Sequence, residues 1–244
     1  MQRIHLIETE STNTYARDLL KTSVPSNDAL LIDTEYQTCG RGQTGNHWES
    51  KRGENLTFSI LCHPKNIRAD EQFLLSQVIA LTMWNTLDDM IEGISIKWPN
   101  DIYWYDKKIC GILIEYDLKG SQIANGIIGV GLNVNQENFE SDAPNPVSLF
   151  QIIGFSIDKE KILNTITTYF HHYYQMLNDG KKAQLQEMYK SHLYRREGFY
   201  QFAEPNGNII EAEIADVETN GYIILRTQTG ETHKYEFKQI KWII

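Results

Sequence analysis

The residues with the most chemistry in them stand where backbone can come close to a ligand. Gly40, Gly42 and Gly45 flank Arg41 within six residues, after the apolar run Ala29-Leu30-Leu31-Ile32. A loop without Cβ atoms lets N–H groups approach an anion, and a guanidinium adds a planar fork of donors suited to phosphate or carboxylate. An ordinary turn has the same composition, so the loop counts through its company. Lys97 closes an apolar run beside Trp98-Pro99, and Lys108 opens another after Asp106-Lys107. Each either reaches solvent from a strand end or aims an ammonium at a phosphate in a partly dry site. Lys107 competes with Lys108 for that task. Asn100-Asp101 reads as an Asx turn, or places a carboxylate in the same pocket to hold magnesium or orient an amine.

Two further segments belong with these. Gly126, Gly129 and Gly131 punctuate a run that otherwise reads as a strand. Glycines on one face of a strand signal a group lying flat on the backbone, or else a bulge or a close crossing. Asn133 beyond them either reads a purine edge or satisfies the strand end. Ser11-Thr12-Asn13 is capping material at a helix start, but one side chain suffices for a cap, which leaves the others for a polar head group. Cys39, Cys62 and Cys110 have no metal-type spacing. They read as small fillers with reduced thiols.

The elements that must position these residues are legible as periods. Ile4–Ile7 predicts a short strand, and Tyr15, Ala16, Leu19 and Leu20 a helix behind Ser11 or Thr12. Asn55 to Leu61 alternates as a half-buried strand, and 70–90 carries apolar residues at the spacing of an amphipathic helix. From 94 to 134, short runs separated by turns at 99–101, 106–108 and 119–121 predict an antiparallel, hairpin-connected sheet. A polar loop is expected over 142–146, with helices over 159–177 and 183–193. After 197 the texture changes to short β runs with turns at Pro205-Asn206-Gly207, Asn220-Gly221 and Thr229-Gly230, the pattern of a small SH3-type barrel.

Bulk properties exclude some functions. A net charge of -9 argues against a general nucleic-acid or anionic-membrane binder, so phosphate chemistry must come from local cations. No apolar run has bilayer length, and Met1-Gln2-Arg3-Ile4-His5 is unlike a signal peptide; a cytoplasmic protein is expected.

Taken together, these segments resemble the biotin–protein ligase family. The carriers are Ser11-Thr12-Asn13; Gly40-Arg41-Gly42 with Gly45 and Trp48; Lys97-Trp98-Pro99-Asn100-Asp101; Lys108-x-x-Gly111-Ile112-Leu113-x-Glu115; and Gly129-x-Gly131-x-Asn133-x-Asn135. Five ordered motifs are more specific than any one of them. The resemblance implies an α+β fold: a mixed, largely antiparallel sheet with flanking helices, of the class II synthetase and biotin-ligase kind, plus the SH3-like barrel. Residues 1–194 would form the catalytic domain and 195–244 the C-terminal one. It implies biotin and MgATP as substrates, biotinyl-AMP as intermediate, and a lysine on a biotin carboxyl carrier domain as acceptor. Biotin binding would fall to Ser11, Thr12, Asn13, Gln37, Arg41, Gly42, Gln43, Lys108, Gly111 and Gly129. ATP binding would fall to Gly40, Arg41, Gly45, Asn46, Trp48, Lys97, Asn100, Lys108 and Asn133. Lys108, Arg41 and Asp101 would do the chemistry, with magnesium carried by the ATP phosphates rather than by a dedicated protein site.

Two departures matter. Many members carry arginine where this chain has Gln43, and often another at Asn46, so phosphate affinity has fewer charges behind it here. Some members also begin with a helix-turn-helix domain. Here Ser11-Thr12-Asn13 comes almost at once, so DNA binding is not expected. A lipoate or octanoate ligase of related fold and a non-catalytic biotin or nucleotide sensor are the alternatives. Edge strands leave a homodimer open.

Overall fold

The computed structural model describes residues 1–22, 29–43, 46–140 and 145–244. Gly45 and most of the expected polar loop over 142–146 lie outside the described residues. In chain order the elements are β1 (Gln2–Leu6), α1 (Thr12–Thr22), β2 (Ala29–Thr34), β3 (Leu56–Cys62), α2 (Phe73–Asp88), β4 (Ile94–Lys97), β5 (Asp101–Trp104), β6 (Lys107–Lys119) and β7 (Gln122–Leu132). There follow α3 (Leu149–Ile153), α4 (Lys159–Asn178), α5 (Lys182–Ser191), β8 (Tyr200–Ala203), β9 (Ile209–Val217), β10 (Ile223–Thr227), β11 (Thr232–Tyr235) and β12 (Lys241–Trp242). Among the described residues, seven strands make one sheet in the order β1-β2-β3-β7-β6-β5-β4, and five make a second, β11-β10-β9-β8-β12.

The first sheet is antiparallel except for β1, which runs parallel to β2. Its two faces have different fates. Leu31, Phe58, Ile60, Ile128 and Val130 point into the main core with α2 and α4, while Leu30, Ile32, Leu61 and Ile127 meet Ala16 of α1 on the other side. Because strand side chains alternate, Thr57, Ser59, Gly129 and Gly131 fall on the α1 side. That side is where the sheet is left bare beyond α1.

Helix α2 departs from expectation. Its apolar spacing suggests an amphipathic surface helix, yet it is buried nearly all round, including Ser76, Gln77, Thr82 and Thr86. Thr82 and Thr86 donate to the carbonyls four residues back, at 2.8 Å each, which removes the cost of their burial. Helices α4 and α5 pack along α2 and enclose it on the side away from the sheet, and Phe202, Val217, Ile223, Leu225 and Ile240 of the second sheet join the same core. Helix α3, which the periodicity does not foretell, is too short for it. Its signature is the capping box of Ser148 with Gln151 and the left-handed Gly154 at its end.

The second sheet has the antiparallel pairing of the expected SH3-like barrel, with tight turns closed by Gly207, Gly221 and Gly230. It is pinned to the first unit at named points. Trp98 Nε1 donates to the Gly221 carbonyl at 2.9 Å, and Lys190 pairs with Asp216 at 2.9 Å. Gly221 sits at φ +95°, and a Cβ there would stand 2.9 Å from the Phe73 ring, so backbone conformation and packing both call for glycine.

Candidate active site

The bare side of the first sheet floors a cleft of about 600 Å³. Strand register explains its shape. Lys97, Asp101, Gly111, Gly131 and Thr57 are successive cross-strand partners from β4 to β3, and Leu113, Gly129 and Ser59 form a second row. Opposed glycines at 111 and 131 leave a flat patch of backbone, and the Trp48 indole covers it. A Cβ at Gly131 would lie 2.1 Å from Trp48 Cε2, and one at Gly111 2.9 Å from Cζ3. At Gly129 a Cβ would meet Asn13 Oδ1 at 2.4 Å. Of the readings open for the glycine run, a group lying flat against the strand is the one that holds. The β7 register is regular through these residues.

Lys108 reaches this floor through a bulge. Tyr103 pairs with Lys108 and Ile102 with Cys110, so Ile109 is the extra residue in β6. Ile109 and Cys110 are both fully buried, while Lys108 and Gly111, an odd three positions apart, share the cleft side. A regular strand would have put them on opposite faces; bulges re-aim side chains in this way. Lys108 Nζ lies 2.8 Å from Asp101 Oδ1. Lys107 is the exposed turn residue. Burial drives the Cys110 thiol well above its usual range, which keeps it protonated and removes it as a nucleophile.

Lys97 also lines the cleft, 3.0 Å from the Tyr103 hydroxyl. Burial pulls its ammonium below the usual lysine range; Asp101 opposes this, while Lys108 and Arg195 reinforce it. Asn100 lines the cleft too, but its Nδ2 is engaged by the Ile112 carbonyl.

At the α1 end a polar nest forms. Tyr15 N donates to Ser11 O at 2.9 Å, making Ser11 the residue that starts the helix. Gln37 Oε1 accepts from Thr12 N at 2.8 Å, which turns the amide's donor end toward Gly40. The Glu115 carboxylate only accepts, so Asn13 presents Nδ2 to it, at 3.0 Å, and Oδ1 to Ser59, at 2.6 Å. Ser59 must then donate to Asn13 and accept from Thr12 Oγ1, 2.7 Å away. Asn13 is thereby fixed by internal bonds, and Ser11, Thr12 and Gln37 face the cleft beside it.

The glycine-rich loop crosses above. Gly42 N donates to Asn46 O at 2.9 Å and Trp48 N to Gly40 O at 3.0 Å, closing a narrow hairpin. Arg41, Gly42, Gln43 and Asn46 line the cleft. Gly40 does not: it is buried under the Trp48 carbonyl and shapes the loop. Arg41 Nη2 lies 3.2 Å from Glu115 Oε2.

Asn133 is not on the cleft wall. It is buried, its Nδ2 donates to Val147 O at 3.0 Å, and its Oδ1 has no partner among the described residues. Sequence reasoning also left residues out. Ser59 and Glu115 were without a role, although Glu115 closes one of the motifs. Lys238, in the connection between β11 and β12, and Lys241 of β12 line the cleft with Phe237, and only tertiary structure brings them there. With them, five cationic side chains face a single carboxylate, Asp101, among the described lining residues. The cleft is cationic in a chain of net charge -9.

Residues 6–133, the span from β1 through the glycine floor, match the family model described as "Biotin/lipoate A/B protein ligase family". The chain belongs to that family. It is 34% identical over 155 residues to the "Bifunctional ligase/repressor BirA" of Salmonella typhimurium, covering 63% of this chain and 47% of the relative. It is 28% identical over 172 residues to the "Biotin--[acetyl-CoA-carboxylase] ligase" of Paracoccus denitrificans, covering 68% and 70%. The chain thus spans about half the length of the BirA relative it matches. The fold is that of the biotin protein ligase from Aquifex aeolicus solved with biotin and ATP, at a TM-score of 0.78 and 23% identity over 98% of this chain and 97% of that one. Within the family frame, the bulge at Ile109 and the paired glycines are the local devices that turn a sheet face into the flat floor of a cleft.

Proposed function

We propose that this chain is an ATP-dependent biotin–protein ligase. The observation that carries the reading is one continuous cleft with a cationic end at Lys97 and Lys108, beside Asp101, and a polar nest at Ser11, Thr12 and Gln37. A urea-type head group needs fixed donors and acceptors, which the nest supplies. An aliphatic chain of the ligand would lie over the sheet floor, its carboxylate directed toward Lys108 and Arg41.

In the first step a biotin carboxylate oxygen attacks the α-phosphorus of ATP. A C(O)–O–P anhydride forms, the bond to the β-phosphate oxygen breaks, and pyrophosphate leaves. Two anions must meet, so Lys108 and Arg41 offset their repulsion at the reacting atoms. Lys97, Asn100, Lys238 and Lys241 serve the rest of the triphosphate, and Trp48 serves the nucleoside. In the second step the neutral ε-amine of a carrier-domain lysine attacks the acyl carbon, and the acyl C–O bond to the phosphate breaks. AMP departs and the nitrogen gives up a proton to solvent; Asp101 orients that amine. Among the described residues no group of three or more His, Cys, Asp or Glu forms a metal nest. Asp101, the carboxylate on the cleft wall, would offer a hard oxygen to a magnesium arriving on the phosphates. Such an ion supplies charge neutralisation on the triphosphate.

Biotin-dependent exchange of pyrophosphate into ATP tests the reading directly. A ligase exchanges label only when biotin is present; a sensor does not exchange at all. Ligand specificity is read by melting: biotin with ATP is expected to raise the transition, by about 3 kcal/mol of stabilisation at a hundredfold excess over Kd, and lipoate to leave it unchanged.

Gln43 lines the cleft where it brings no charge. Gln43→Arg is expected to slow release of biotinyl-AMP by about fivefold, the reach of one partly exposed charge. Unchanged release in a rapid-quench assay would refute this.

A further inference from the structure

The two cations assigned to the reaction each already hold a carboxylate. Lys108 has Asp101, at 2.8 Å. Arg41 has Glu115, with Nη2 at 3.2 Å from Oε2 and 3.4 Å from Oε1. We infer that Glu115 is a positioning residue for Arg41: it holds the guanidinium at the cleft while the cleft is empty and competes with the ligand's anionic groups for it. The ligand named here rests on the ligase reading; the pairing does not.

Placement supports this. Gly111, Leu113 and Glu115 alternate along β6, so Glu115 stands on the cleft side, at the opposite end of the floor from Lys108. Its carboxylate is immobilised from below by Asn13 Nδ2, which Ser59 fixes in turn. Asn13 is pressed against the bare backbone of Gly129, where any side chain would displace it. The anion is therefore rigidly mounted on three elements, α1, β3 and β6, while its cation comes from the glycine-rich loop.

The pair is built to exchange. One nitrogen is shared between two carboxylate oxygens instead of the two-nitrogen fork that makes arginine pairs strong. The Arg41 side chain is 41% exposed and that of Glu115 27%, so water screens their attraction. When Arg41 leaves, Asn13 still donates to Glu115, so the carboxylate is not stranded.

Linkage fixes the sign. A contact present in the empty protein and lost on binding opposes binding by its own free energy. Glu115→Gln keeps the shape and an acceptor oxygen but removes the charge. Biotin affinity should therefore rise by about two- to fivefold, the span of a partly exposed ion pair. The gain must travel through Arg41: with Arg41→Gln already present, Glu115→Gln should leave affinity unchanged. A structural role for Glu115 would give the same shift in both backgrounds.

The test uses the full chain in four forms: wild type, Glu115→Gln, Arg41→Gln and the double variant. Biotin affinity is measured by calorimetry. Trypsin cleavage between Arg41 and Gly42 is followed by mass spectrometry without ligand. The expected results are tighter biotin binding only where Arg41 is present, and cleavage about two- to fivefold faster in Glu115→Gln than in wild type. Wild-type affinity, weaker affinity, an equal shift in both backgrounds, or wild-type cleavage overturns the inference. If wild type binds no biotin, the ligase reading fails by itself, and the cleavage rate alone decides whether Glu115 holds Arg41.

Discussion

Lys108→Gln is expected to lower biotin-dependent pyrophosphate exchange by about 10²- to 10³-fold, the cost of removing one preorganised charge from a developing anionic centre. Glutamine still reaches the same space and donates hydrogen bonds, so the loss isolates the charge. The fold should survive. Lys108 and Asp101 are each about a quarter exposed, and leaving Asp101 unpaired at such a site costs about 1 kcal/mol. For a chain of this length that is a fall in Tm of about 2–4 °C. Backbone bonds from Lys108 N to Asn145 O and from Val147 N to Lys108 O, at 2.8 and 2.9 Å, keep the bulge in place whatever the side chain. Arg41→Gln should act on the same step with a smaller loss, because its cation comes from a loop and its side chain is the more exposed of the two. The double variant should lose less than the product of the two single losses, since both act on one pair of anions. Exchange at the wild-type rate in both single variants would end the electrostatic account of adenylation.

Much of this site was legible in sequence because it is local. Lys97 to Asp101 and Lys108 to Gly111 sit on adjoining hairpin strands, and short-range turn signals already predict that those strands pair. The glycines at 129 and 131 advertised a close approach because glycine weakens a strand unless something needs the room. What escaped was non-local or out of period. Ser59 looks like any polar residue in a half-buried strand, and only α1 crossing it creates its bonds to Thr12 and Asn13. The bulge at Ile109 changes which face Lys108 serves, and no residue type there announces it. Lys238 and Lys241 join the cleft through docking of the second sheet, which depends on contacts such as Trp98 to Gly221. The full burial of α2 escapes its period for the same reason, because α4 and α5, distant in sequence, pack over its outer face. The motif places Asn133 at the cleft, but the residue is not on its wall and its Nδ2 donates to Val147 O instead.

The second large effect should come from filling the glycine floor. Gly131→Ala adds one methyl, and it lands 2.1 Å from Trp48 Cε2, 2.5 Å from Nε1 and 2.6 Å from Cζ2. All three atoms belong to one rigid ring, so the indole must swing or lift off the sheet to make room. The loop resists, because Trp48 N is bonded to Gly40 O and a Cβ at Gly40 would meet Trp48 O at 2.6 Å, leaving little slack there. Overpacking of this kind costs about 1–3 kcal/mol. The consequence for function is larger, since the displaced ring and loop carry the groups assigned to the nucleotide. The KM for ATP in the exchange assay should rise by about tenfold or more, in line with loss of one well-placed stacking contact. Gly131 does not have a positive φ, so the penalty cannot be backbone strain. Gly230, at φ +86° with open space around it, is the control: Ala there strains the turn by about 1 kcal/mol and leaves the KM for ATP alone. The deciding variant is Gly131→Ala combined with Trp48→Ala. If the clash is the cause, removing the indole recovers the stability lost to the methyl, while the KM for ATP stays high because the ring is gone. A double variant no more stable than Gly131→Ala would mean that the glycine serves something other than the ring lying on it.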